Sequence, residues 1–180
     1  DGLLRLYIPI GVSSQPCIDI TTATGLITAD TYHSIAFTVG DNRADIWVDG
    51  VNVGGQVASY PWSTADATYN ALLGHFTGGW DSIGWFDEVR FTKAVRYTAN
   101  YTPQTAAFPN WAFDPEEDVG IINPIELDPY FNHVITRVHF DNGDSSTLIT
   151  DETGNLSWTT VNQAQQSITE FEYGGSSLLL

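Results

Sequence analysis

Apolar and polar residues alternate in short runs along this chain, and the runs stop at Gly, Asn, Asp or Pro. A period of two is the mark of strands, whose successive side chains point to opposite faces. Leu3 to Ile10 reads as a first strand, closed by Pro9 and Gly11, and Cys17 to Ile20 and Leu26 to Thr28 read as shorter ones. His33 to Val39 places Ile35, Phe37 and Val39 on one face, with Ser34, Ala36 and Thr38 opposite. Ala44, Ile46 and Val48 lead into Asp49-Gly50, and Val51 and Val53 follow. Asp-Gly between two alternating runs predicts a tight hairpin, because that turn wants positive φ at both central residues. Further strands are expected at Ile83 to Phe91, His133 to Phe140, Leu148 to Thr150, Ser157 to Val161 and Ser176 to Leu180.

Many short strands separated by turns predict an all-β, antiparallel sandwich or barrel. The composition, 42% hydrophobic and 13% aromatic, can fill such a core. Residues 113–127 differ in character. The run Phe113 to Asp118 is acidic, and Pro124 and Pro129 lie close by, so this stretch reads as a linker, with a surface loop as the alternative.

Charge narrows the partners. Six Lys plus Arg face twenty-two Asp plus Glu, a net −16. A nucleic-acid binder needs a basic face to displace counterions from phosphate, and no basic cluster exists here. Anionic membrane surfaces are disfavoured on the same ground, and no apolar run is long enough for a membrane helix. Cys17 is the only cysteine, so the chain forms no disulfide within itself. With no Met, and with Leu178-Leu179-Leu180 at its end, the sequence reads as part of something longer or of a homo-oligomer.

Several phrases resemble the concanavalin A-like superfamily, in particular laminin-G-like and pentraxin-like jelly rolls. They are Tyr32 to Thr38, the hairpin Asp45 to Gly50, Leu73-Gly74, Gly84 to Phe91, and the tail Ala94 to Pro103 closing at Phe108-Pro109. The tail is similar to phage and prophage versions of the module. Asp128 to Phe131, His139-Phe140-Asp141, Asp151 to Asn155 and Tyr173 to Leu178 resemble the opening half of such a module. The resemblance therefore implies a C-terminal half at 1–112, the linker at 113–127, and the start of a second module at 128–180. Two incomplete halves leave open edges, so they belong to a longer chain or complete each other. The longer chain is the favoured expectation.

The candidate chemistry is sparse. Alternation sets Asp87 on an apolar face with Ile83, Trp85, Val89 and Phe91, where a carboxylate needs hydrogen bonds or a cation. The resemblance implies an aspartate there that supports calcium or the adjacent loop. Asp141, Asp144, Asp151 and Glu152 form an acidic turn cluster, and calcium is the hard cation that would suit such oxygens. The simpler alternatives are backbone N–H partners for Asp87 and solvated turns for the others. Glu88 and Arg90 are expected on the opposite face as an exposed pair. Adjacent Asp87 and Glu88 point to opposite faces, which argues against a glycosidase carboxylate pair. His33, His75, His133 and His139 lack the spacing of a zinc site. Tyr60, Trp62 and Trp80 sit in turn-rich stretches and are the candidate glycan platforms, core or loop anchoring being the alternative.

The expected function is a non-catalytic structural or adhesion module of a phage virion surface protein, a tail fibre, tail tip or capsid decoration. It would bind a glycan or a neighbouring virion or cell-surface protein. The alternative is an accessory carbohydrate-binding module of a secreted bacterial adhesin or glycosidase. The expected location is the virion surface or extracellular.

Overall fold

The structure is a computed structural model that describes residues 2–10, 13–40, 42–58, 75–76, 80–81, 83–108 and 130–180. Tyr60, Trp62, Leu73-Gly74 and the linker 113–127 lie outside the described residues. The fold is all-β with antiparallel pairing, and the described residues contain no α-helix, only a single 3-10 turn at Phe131–His133. The chain forms two compact units: Asp1–Ala71 with Val95–Gln104, and Leu72–Ala94 with Thr105–Leu180.

In the first unit, β1 (Arg5–Ile10) pairs with β2 (Ser13–Thr21), and β3 (Ile35–Gly40), β4 (Arg43–Val48) and β5 (Val51–Val57) form a three-stranded sheet. Ile18, Ile20, Ala44 and Ile46 are buried together, with Leu4, Leu6, Ile8 and Val53 packed around them. The β1–β2 hairpin thus covers one face of the sheet, two layers closing over an apolar interior. The other face carries Trp47, 2% exposed, whose indole N–H donates to the Thr38 hydroxyl. Tyr97 and Tyr101 stack on each other at 3.6 Å, and their rings lie 6.3 and 6.1 Å from Trp47. The tail 95–104 is therefore a lid over the tryptophan face of β4.

The Asp49-Gly50 turn forms as the pattern predicts, with φ of 49° and 77°. The Asp49 carboxylate accepts the Ser34 N–H and faces His33 Nδ1 at 2.8 Å, so the hairpin tip is tied back to the start of β3. A methyl group on Gly50 would overlap the Tyr101 carbonyl oxygen, and its φ is hostile to a side chain. Gly50→Ala is expected to cost about 1–3 kcal/mol, read from the urea midpoint at constant slope.

Two expectations change in this unit. Leu26 to Thr28 is a turn rather than a strand. Ile35, Phe37 and Val39 are 40–47% exposed, although their partners across the ladder, Val48 and Ile46, are buried. Alternation groups these three on one face, but on this strand the opposite side, Ala36 and Thr38, is the more buried. The buried cluster, however, is centred on β2 and β4, and β3 is the outer strand of its sheet among the described residues.

In the second unit, β9 (Val89–Thr92) pairs with β10 (Val134–Val138), and β8 (Trp85–Phe86) pairs with β12 (Ser177–Leu179), which also pairs with β11 (Gln165–Ser167). Short β6 (His75–Phe76) and β7 (Trp80–Asp81) form a hairpin that contains Trp80. Segments on either side of the expected linker thus belong to one antiparallel body within this chain. Val138, Phe140, Ile149 and Leu178 form its core, with Phe86, Val89 and Trp158 against them. Leu148 to Thr150 and Ser157 to Val161 are not strands, while Gln165–Ser167, too polar to suggest itself, is one.

Candidate functional site

The expected strand Ile83 to Phe91 is broken at Asp87-Glu88, because Glu88 adopts φ 52°. A left-handed residue ends the strict alternation of faces. Ile83 is consequently 95% exposed and Phe91 44% exposed, and the proposed apolar face does not form around Asp87. Glu88 turns inward instead of pairing outward with Arg90.

The Glu88 side chain is 6% exposed, and its Oε1 lies 2.6 Å from His139 Nδ1, itself on a side chain 8% exposed. Its Oε2 accepts the Phe108 N–H at 2.6 Å. Arg90 lies over the Phe108 ring at 3.9 Å. The expectation of an exposed Glu88–Arg90 pair is therefore corrected: the backbone kink redirects the carboxylate into the body of the unit.

Asp87 accepts the N–H of Glu172 and Tyr173 through Oδ2 and that of Glu88 through Oδ1, each at 2.9 Å. Burial pushes its carboxyl above the usual range, and the Tyr173 and Glu172 amides pull against that. Asp141 Oδ1 accepts the Gly175 N–H at 2.9 Å. A side chain on Gly174, which has φ 69°, would collide with the Asp141 carboxylate. The turn 172–175 is thus gripped by Asp87 and Asp141.

Asp151 is the most heavily used acceptor. It takes the N–H groups of Arg137, Thr153, Asn155 and Leu156 at 2.8–3.1 Å, and the Thr153 hydroxyl at 2.9 Å. Burial would raise its carboxyl, but the Arg137, Leu156 and Thr153 amides and the Thr153 hydroxyl outweigh this and hold it at about 2. Asp144 stays in an exposed turn beside Ser145. Among the described residues, no three Asp, Glu, His or Cys side chains converge as metal ligands. Asp87 and Asp151 each accept three or more N–H groups, which leaves little lone-pair capacity for a cation, while Asp141 accepts one through Oδ1.

Two features escaped sequence reasoning. Gln166 is fully buried, accepts the Asn142 N–H at 2.7 Å and donates to the Leu148 carbonyl, so it holds the 142–148 loop. Its only sequence signal is the polar run in which it sits. An open groove of about 330 Å³ is lined by Thr147, Asn162, Gln163, Ala164 and Gln165, an uncharged surface on a strongly acidic chain. Trp158 donates to the Thr136 hydroxyl and stacks on half-exposed Phe91 at 6.1 Å. Of the expected glycan platforms, Trp80 falls in β7, opposite Phe76.

Comparison with family models, with curated proteins and with solved structures finds no match for this chain.

Proposed function

We propose that this chain is a non-catalytic recognition module of an extracellular or virion-surface protein. In this reading it has a laminin-G-like jelly-roll arrangement and takes a glycan or a neighbouring surface protein as its partner. One observation carries the proposal: Asp87, Glu88, Asp141 and Asp151 are held by backbone N–H groups or, for Glu88, also by a buried histidine. Glycoside hydrolysis needs two carboxyl groups facing one bond, one of them free to exchange a proton with substrate. These carboxylates instead anchor loops. The virion setting rests on the resemblance of the tail Ala94 to Pro103 to phage modules, a tail whose Tyr97 and Tyr101 cover Trp47.

A specific feature favours a glycan over a charged ligand. The open groove at Thr147 and Asn162 to Gln165 is lined by uncharged residues that include three amide side chains, groups able to donate to and accept from hydroxyls. The same feature would serve an accessory carbohydrate-binding module of a bacterial adhesin or glycosidase. An array of immobilised neutral and acidic glycans, probed with the purified chain, tests the reading. Saturable binding to neutral glycans with no release of reducing ends is expected. Hydrolysis that disappears in Asp87→Asn or Glu88→Gln would overturn the non-catalytic assignment, and absence of the protein from purified particles would overturn the virion setting.

Calcium is a proposal only for sites with open oxygens. Melting temperature in millimolar calcium should agree with that in chelator to within about 1 °C, because ligand binding stabilises only as far as it prefers the folded state. A rise of several degrees would return the aspartates to the role of ligands.

A further inference from the structure

We propose that the Glu88–His139 contact is a pH-dependent clasp that tightens the second unit as the medium falls through neutral pH and loosens it, with the Phe108 attachment, as the medium turns alkaline. A single buried carboxylate joins three pieces of chain. Glu88 lies in the kink between β8 and β9, His139 directly follows β10, and Phe108 closes the 105–108 segment. The Nδ1–Oε1 distance of 2.6 Å and exposures of 8% and 6% make this a desolvated pair. A buried carboxylate that keeps its place after losing a positive partner is strongly destabilising. Deprotonation of the imidazole creates that situation with no change in sequence.

The surrounding charges set the direction. The Glu88 hydrogen bond raises His139 above its ordinary value, burial opposes, the Glu88 charge adds, Arg137 opposes and Glu152 adds. Asp87 and Tyr173 face Glu88 from the kink and from the 172–175 turn. Arg137, with Arg90 across the ladder from it, also lies near Asp151 and Glu152. Because the folded-state value is raised, the stabilisation is complete below about 6.5 and is lost as pH climbs through the raised value. Asp87, also raised by burial, acts in the same direction, so the variants at His139 and Glu88 are what assign the effect to the clasp. Asp151, held at about 2, acts only in acid, from its ordinary value near 3.9 down through 2. The net charge of −16 gives a smoother alkaline softening of its own, so variants are needed to separate the two.

The test follows the His139 imidazole of the full chain by NMR titration. A midpoint above 6.5 is expected, and one at or below 6.5 overturns the proposal. The melting temperatures of wild type, His139→Asn and Glu88→Gln are then compared at pH 6 and pH 9. Asn keeps a donor where Nδ1 stood but cannot titrate, so the variants should lose most of the wild-type difference between the two pH values. An undiminished difference overturns the clasp. Exchange of the Phe108 amide is the readout that survives a misfolded variant. In wild type it should accelerate through the His139 midpoint by more than base catalysis supplies, and a featureless profile overturns the proposal.

Discussion

Asp151→Ala should lower the unfolding free energy of the second unit by about 3 kcal/mol, discounted for the partial access of water to this carboxylate. The substitution removes the acceptor for four amides and a hydroxyl at once. Hydrogen bonds to a charged acceptor are worth more than neutral ones, and the orphaned Arg137 N–H sits on a strand whose side chains are buried from Thr136 to Val138. Asp151→Asn should recover only part of the loss, since an amide offers one acceptor oxygen where the carboxylate offers two. The acid dependence has a fixed sign. A carboxyl held at about 2 contributes its stability in full above its ordinary value near 3.9 and loses it as pH falls through 2. The measurement is urea denaturation of wild type and variant at pH 7 and pH 2.5, where the gap between them should narrow. An Asp151→Ala chain as stable as wild type would show that the loop 151–156 holds without its carboxylate.

Phe140→Ala should be costlier still, about 3–5 kcal/mol, the range for emptying a large ring from a closed core. Phe140 is 1% exposed and packs with Val138, Ile149 and Leu178. The informative comparison is Phe37→Ala. Both residues sit in alternating strand-like runs and look equivalent in sequence, yet Phe37 is 47% exposed. Its loss should cost well under half as much, about 1 kcal/mol, because little apolar area returns to water. Calorimetric melting of the two variants checks the contrast, and equal destabilisation would mean that Phe37 is covered as fully as Phe140.

The strand pattern was most legible where chemistry and geometry agree locally. Asp49-Gly50 announces its own turn, and Ala44, Ile46 and Val48 share the buried face that alternation assigns them. It was least legible at Glu88. Nothing in a glutamate announces positive φ, and one such residue splits a strand, strips Asp87 of its expected apolar neighbours and buries a charge expected at the surface. The His139-Phe140-Asp141 phrase carries a family resemblance, but the partner of His139 lies fifty-one residues away and follows from pairing of β9 with β10, a non-local fact. Gln166 and β11 failed for a different reason: a buried polar strand satisfied by loop carbonyls and amides has no hydrophobic period to read. Tyr60 and Trp62, the glycan platforms proposed from sequence, lie outside the described residues, whereas the amide-lined groove has no aromatic in its lining and so had no such signal.

The claim on which all of this depends is that acidic side chains in the second unit fasten backbone amides and do not wait for metal or substrate. Amide hydrogen exchange at neutral pH, free of calcium and ligand, reads it directly. The amides of Phe108, Arg137, Leu156, Tyr173 and Gly175 should be protected and should keep their positions in the NMR spectrum when millimolar calcium is added. Amides that exchange like an unfolded chain, or that move together as calcium is titrated in, would contradict it.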